Sequence, residues 1–267
     1  MIRVGRCTYD NKYKRIDPKY DGFTNILVLT KSSPYGSLGP YVLKNEKGQI
    51  MENIWQFSKI YEEIPTSVQK YSRYDSTIIW TQKKETHVKN NMLTKEYWQW
   101  REKGYNNEYA VRYPNGFGKQ HNCVGAYYNT SEPNKNDKYF EVFDETKSSK
   151  LFEKTQNIKI LEYVQARKAI YLPVYCEMVK KETQFKELQE KLQKGENLLI
   201  IEVDGPHQES LGHYKTKYKV KDDFIVNNTM LITQENIQIM LNDPKHPFGH
   251  GYCLAMALLG KDVEWNL

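Results

Sequence analysis

Apolar and polar positions along the chain change period several times, as expected where strands and helices alternate. Leu198 to Val203 (LLIIEV) is the clearest strand, a nearly continuous apolar run suited to the middle of a sheet with both faces covered. It leaves through Asp204-Gly205-Pro206-His207, and polar residues at the exit of a central strand line many α/β sites. Asn25 to Leu29, Thr77 to Trp80, Tyr109 to Tyr113 and Cys123 to Tyr128 read as further strands. The polar first 25 residues, with turn signals at Asp10-Asn11 and Asp21-Gly22, read as an edge element.

Helical spacing covers residues 51–61 (MENIWQFSKIY), 94–104 between a threonine cap and a glycine stop, and 233–242. It also covers about 157–193 in two pieces, with Pro173 kinking or dividing the first and Gly195 ending the second. Tyr252 to Leu259 is apolar on every side and predicts a buried terminal helix. Residues 32–40 form a loop by composition, Asn45 to Gly48 a turn, and 129–150 a polar surface loop or insertion. These elements predict an α/β fold, with α+β as the variant, in a single domain over 1–267 whose central sheet is flanked by helices.

Composition narrows the classes. A hydrophobic share of 39% over 267 residues supports a sizeable core. No stretch approaches the roughly 20 apolar residues of a membrane span, and the first residues lack the apolar run of a signal peptide, so a cytoplasmic protein without a membrane partner is expected. Cys7, Cys123, Cys176 and Cys253 form no CxxC pair and read as buried or idle thiols. His121 and Cys123 are a close His/Cys pair, but two ligands do not make a site, and neither a metal nor a cofactor is expected. A net charge of +6 gives mild attraction to phosphate-bearing partners without a concentrated basic stripe. The 21 tyrosines and five tryptophans suit a cleft that stacks flat rings, or simply fill a core.

On a helical wheel of 51–61, Glu52, Trp55, Gln56 and Lys59 share one face, and Ile54, Phe57 and Tyr61 fall opposite. A tryptophan between an acid and a lysine suits a lined pocket; the alternative is a solvated face with Glu52 at the helix start. Asp204, followed by His207, offers a second carboxylate or an ordinary turn. Two carboxylates in one cleft suit glycosidic cleavage. Gly249-His250-Gly251 leads into a helix whose first amides suit a phosphate, although it is no Walker or Rossmann fingerprint. Arg167, in YVQARKAIY, either adds a basic wall or points into water, and Arg112 sits in a strand of unassigned orientation.

The segment GPYVLKNEKGQIMENIWQFSKIY resembles the strand-turn entry of the NADAR superfamily into a helix bearing a glutamate and, one to two turns later, a lysine. LLIIEVDGP and the late GHGYCLAMALL are similar to that family as well, whereas SSPYGSLGP and HPFGHG replace two of its signatures. The resemblance implies a compact α/β fold acting on ribosyl N-glycosidic bonds, with Glu52 and Lys59 catalytic and Trp55 stacking the base. Two readings follow. One is an N-glycosidase-like hydrolase acting on a nucleotide or ADP-ribosylated base; the other is a non-catalytic protein binding a nucleotide-like small molecule or modified nucleic acid. Oligomeric state is not legible.

Overall fold

The computed structural model describes residues 1–29, 32–64, 67–72, 75–89, 92–111, 123–129, 138–142 and 158–262. They form an α/β fold, as the alternation of elements predicts. Where the sequence reads as one domain over 1–267, the fold has two compact units: Met1–Leu43 with Tyr171–Leu267, and Lys44–Ile170. We call these unit 1 and unit 2.

Unit 1 is built on a four-stranded mixed sheet ordered Thr229–Leu231, Ile2–Arg6, Leu198–Glu202, Thr24–Leu27. Leu198–Glu202 pairs in parallel on both sides, and all five of its residues are buried, as its apolar run predicts. Ile2–Arg6 is an interior strand, which corrects the expectation of an edge element at the start of the chain. Its two arginines disguise it. Arg3 is buried nonetheless: Nε donates to Thr229 Oγ1 at 3.0 Å, and the guanidinium lies 3.7 Å from the Tyr20 ring centroid. The helix His250–Leu258, apolar all round, packs against both central strands and against the helices Leu172–Val179 and Thr183–Gln193. Pro173 follows directly on the π-helical turn Arg167–Tyr171, an irregularity that accommodates a proline lacking the N–H a regular helix would use.

Unit 2 carries a six-stranded sheet ordered Val88–Lys89, Met92–Leu93, Lys138–Val142, Ile158–Leu161, Cys123–Asn129, Lys59–Tyr61. Two of these strands correct the sequence reading. Ile158–Leu161 begins the stretch read as helical, and its pairing with strands on both sides outweighs a periodicity spread over few residues. Lys138–Val142 lies within the segment read as a polar loop; residues 130–137 and 143–150 of that segment lie outside the described residues. The helix Lys95–Tyr105 is capped by Thr94, whose hydroxyl accepts from the Tyr97 amide, as its sequence predicts. It runs through Gly104, because the Phe57 ring packs where a side chain would be: a Cβ there would lie 2.1 Å from the ring. Phe57, Tyr61, Tyr97, Trp98, Trp100 and Tyr127 form an aromatic core, so these six rings serve packing. His87 is enclosed in the same core, 4.7 Å from Trp100 and 5.1 Å from Tyr97 between centroids, and burial pushes its imidazole down to about 3.

Candidate active site

The helix Met51–Gln56 starts after an extended Ile50 and places Glu52 in its first turn, where the helix dipole favours an acid. It is shorter than the periodicity predicts. Phe57 leaves helical geometry, and the Ser58 hydroxyl donates to the Ile54 carbonyl at 2.6 Å, taking over an acceptor that a continuing helix would use. Lys59 therefore stands on the strand Lys59–Tyr61, paired with Cys123–Asn129, and not on a helix face. Asn53 anchors the helix from the side: its Nδ2 donates to the Tyr109 carbonyl at 2.9 Å and its Oδ1 accepts from the Val111 amide at 2.6 Å.

Despite the early end of the helix, the polar residues converge. Gln56 Nε2 donates to Glu52 Oε1 at 2.5 Å, and Gln56 Oε1 accepts from Lys59 Nζ at 2.9 Å. An ammonium only donates, so this pair of bonds orients the amide and aims its N–H at the carboxylate. Lys59 Nζ lies 4.9 Å from the Trp55 ring centroid. Trp55 in turn stands 6.4 Å from the Tyr163 ring, over which the Arg167 guanidinium sits at 4.4 Å. Glu52, Gln56 and Lys59 keep only 5%, 6% and 4% exposure, so neither face of this helix is a solvated one. Arg167 is buried too, at the first residue of a π-helical turn, Arg167–Tyr171, an irregularity frequent at functional sites. Five of the predicted residues, Glu52, Trp55, Gln56, Lys59 and Arg167, thus belong to one network in unit 2. Tyr163 and Asn53, which complete and support it, carry no pattern in the sequence that singles them out.

The remaining predicted residues belong to unit 1. Asp204 is exposed in the turn after Leu198–Glu202. His207 Nδ1 lies 3.1 Å from Glu209 Oε1, which also pairs with Arg6 at 3.0 Å. Gly249-His250-Gly251 does open a helix, but the chain's own Glu202 carboxylate fills the place expected for a phosphate: a Cβ on Gly249 would lie 2.1 Å from Glu202 Oε2. Burial, reinforced by Asp204, pushes the Glu202 carboxyl up to about 8, against the pull of the amides of Gly251, Tyr252 and His250. Glu202 is the single charge in the apolar run LLIIEV, and a charge inside a covered strand demands a buried partner; that was its signal. The four cysteines are free, with Cys7, Cys176 and Cys253 buried. His121 and Arg112 lie outside the described residues.

No family model, no curated protein and no solved structure matches the chain. Among the described residues, no helix is long and apolar enough to cross a membrane.

Proposed function

We propose that unit 2 is an N-glycosidase-like hydrolase that cleaves a ribosyl N-glycosidic bond in a nucleotide or ADP-ribosylated base. The observation that carries this reading is the buried Glu52–Gln56–Lys59 relay beside Trp55. In such a reaction the C1′–N bond breaks with its electron pair passing to the base, and water adds at C1′. Glu52 steadies the oxocarbenium-like sugar and takes the proton of the attacking water. Lys59 gives a proton to the departing base, and Gln56 holds both groups in register. The Arg167 guanidinium supplies the partner for a substrate phosphate, and Trp55 a surface for the base. The resemblance of the 39–61 segment to the NADAR superfamily agrees with these roles. Asp204 has no part in the steps assigned to unit 2.

The near-complete burial of the relay favours a second reading, recognition without turnover, because a closed ionic network also serves to hold a ligand or the fold itself. Incubation of the full chain with NAD, ADP-ribose and ADP-ribosylated DNA, read by mass spectrometry, separates the two. Release of free base by the parent and its loss in Glu52→Gln are expected for the hydrolase. Tight binding without product would establish the binding protein instead.

A further inference from the structure

Unit 1 holds a second polar cluster, made of groups that ligate metals. His213 lies on the helix Leu211–Tyr218, Asp243 ends the helix Gln234–Asn242, and His246 follows one turn later. One ligand atom from each lies within 4.8 Å of the other two. His246 Nδ1 is 2.5 Å from Asp243 Oδ2, and His213 Nε2 is 3.5 Å from Asp243 Oδ1. The Asp243 side chain is fully buried, while the imidazoles keep 22% (His213) and 15% (His246) exposure, so the carboxylate forms the floor of the cluster and the imidazoles its solvent side.

One atom is left unexplained by the protein alone. His213 Nε2 is buried and has no hydrogen-bond partner among the described residues, although it points toward Asp243. Buried ring nitrogens are nearly always satisfied, and an ion shared with the carboxylate would satisfy this one.

We propose that His213, Asp243 and His246 bind a divalent first-row transition-metal ion, zinc(II) foremost. Two imidazole nitrogens and one carboxylate oxygen suit zinc and its neighbours, not magnesium or calcium, which take oxygen ligands. Bonds of about 2.0–2.2 Å place neighbouring donors of a tetrahedral ion roughly 3.3 Å apart. The His213–Asp243 separation of 3.5 Å already meets that spacing, and the 2.5 Å contact of His246 opens by under about 1 Å when coordination replaces it. Three protein ligands leave a fourth position for water, the arrangement of sites that exchange ligands. The Tyr218 hydroxyl, which donates to Asp243 Oδ1 at 3.1 Å, then orients the carboxylate from outside the coordination sphere. Lys217 Nζ, 3.6 Å from the same oxygen and 44% exposed at its side chain, is the cation that an incoming metal displaces. None of this draws on the Glu52 chemistry.

The test uses the full chain, freed of metal by a chelator and titrated with zinc(II) and with cobalt(II). One equivalent per chain is expected, with the visible absorption bands of cobalt held by nitrogen and oxygen ligands. The double substitution His213→Ala/His246→Ala should abolish that equivalent while circular dichroism stays unchanged. Should the double variant not fold, His213→Ala alone is expected to weaken binding about tenfold or more. Lys217→Ala should tighten it roughly two- to fivefold, because a competing cation has gone; a purely structural ion-pair cluster has no reason to respond in that way. Absence of stoichiometric binding in the parent, or undiminished binding and an unaltered cobalt spectrum once the histidines are removed, would overturn the proposal.

Discussion

Glu202 Oε2 lies 3.2 Å from His250 Nδ1 at the start of the last helix, and the other ring nitrogen, Nε2, lies 2.7 Å from the Val28 carbonyl. A carbonyl only accepts, so Nε2 carries a hydrogen and Nδ1 is left to face the carboxyl. Burial raises the Glu202 carboxyl and lowers the His250 imidazole, which leaves both groups neutral at pH 7, with Glu202 holding the proton between them.

A carboxyl raised from 4.5 to about 8 keeps a proton that the unfolded chain releases, so stability falls as pH rises from about 4.5 to about 8. Glu202→Gln retains the shape and an N–H for His250 but removes this loss. Thermal unfolding of the variant at pH 8 should show a gain on the order of 4 kcal/mol over the parent. The gain should vanish near pH 4.5, and a pH-independent difference would disprove the protonated carboxyl.

His87 acts in the opposite sense. Its imidazole is lowered from 6.5 to about 3, so the fold excludes a proton that the unfolded chain accepts. That stability is fully present above pH 6.5 and is lost as pH falls from 6.5 toward 3. His87→Leu should therefore flatten the decline in urea midpoint between pH 7 and pH 4, a change on the order of 3 kcal/mol in slope-integrated stability.

Gln56→Leu keeps the side chain's bulk and deletes both bonds of the relay. Leaving Glu52 and Lys59 without that bridge should cost about 1–3 kcal/mol in urea unfolding. If the relay is catalytic, kcat should fall roughly a hundredfold with KM little changed. A variant that alters only affinity would favour the binding protein.

Gly104→Ala places a methyl group 2.1 Å from Phe57, in a core already filled by Trp100 and Tyr61. The ring cannot move without displacing them, so a loss of about 1–3 kcal/mol is expected, although alanine has the better helix propensity. Chemical denaturation measures it directly.

Several features are legible from residues alone because their causes are local. LLIIEV, the threonine caps at Thr94 and Thr233 and the all-round apolar last helix are each encoded within a dozen residues. Ile2–Arg6 is not, since what makes it interior is pairing with Leu198–Glu202 and Thr229–Leu231, far along the chain. At the candidate site, i,i+4 spacing alone sets Glu52 against Gln56. Lys59 reaches Gln56 by a different route from the one its spacing suggests, because Phe57 and Tyr61 continue an apolar rhythm that the Ser58 bond to Ile54 interrupts. The contact of Trp55 with Tyr163, and through it with Arg167, joins segments about a hundred residues apart and leaves no mark in either.

The division of unit 1 into two stretches of chain has a consequence for synthesis. Ile2–Arg6 leaves the ribosome well before its parallel partner Leu198–Glu202, and Thr229–Leu231 comes later still. Residues 44–170 are complete well before then and carry their own aromatic core. During translation the first strand is thus a waiting edge. Its Arg3 and Arg6, which hide its interior role from a pattern reader, are also the charges that keep such an edge from pairing with the wrong neighbour.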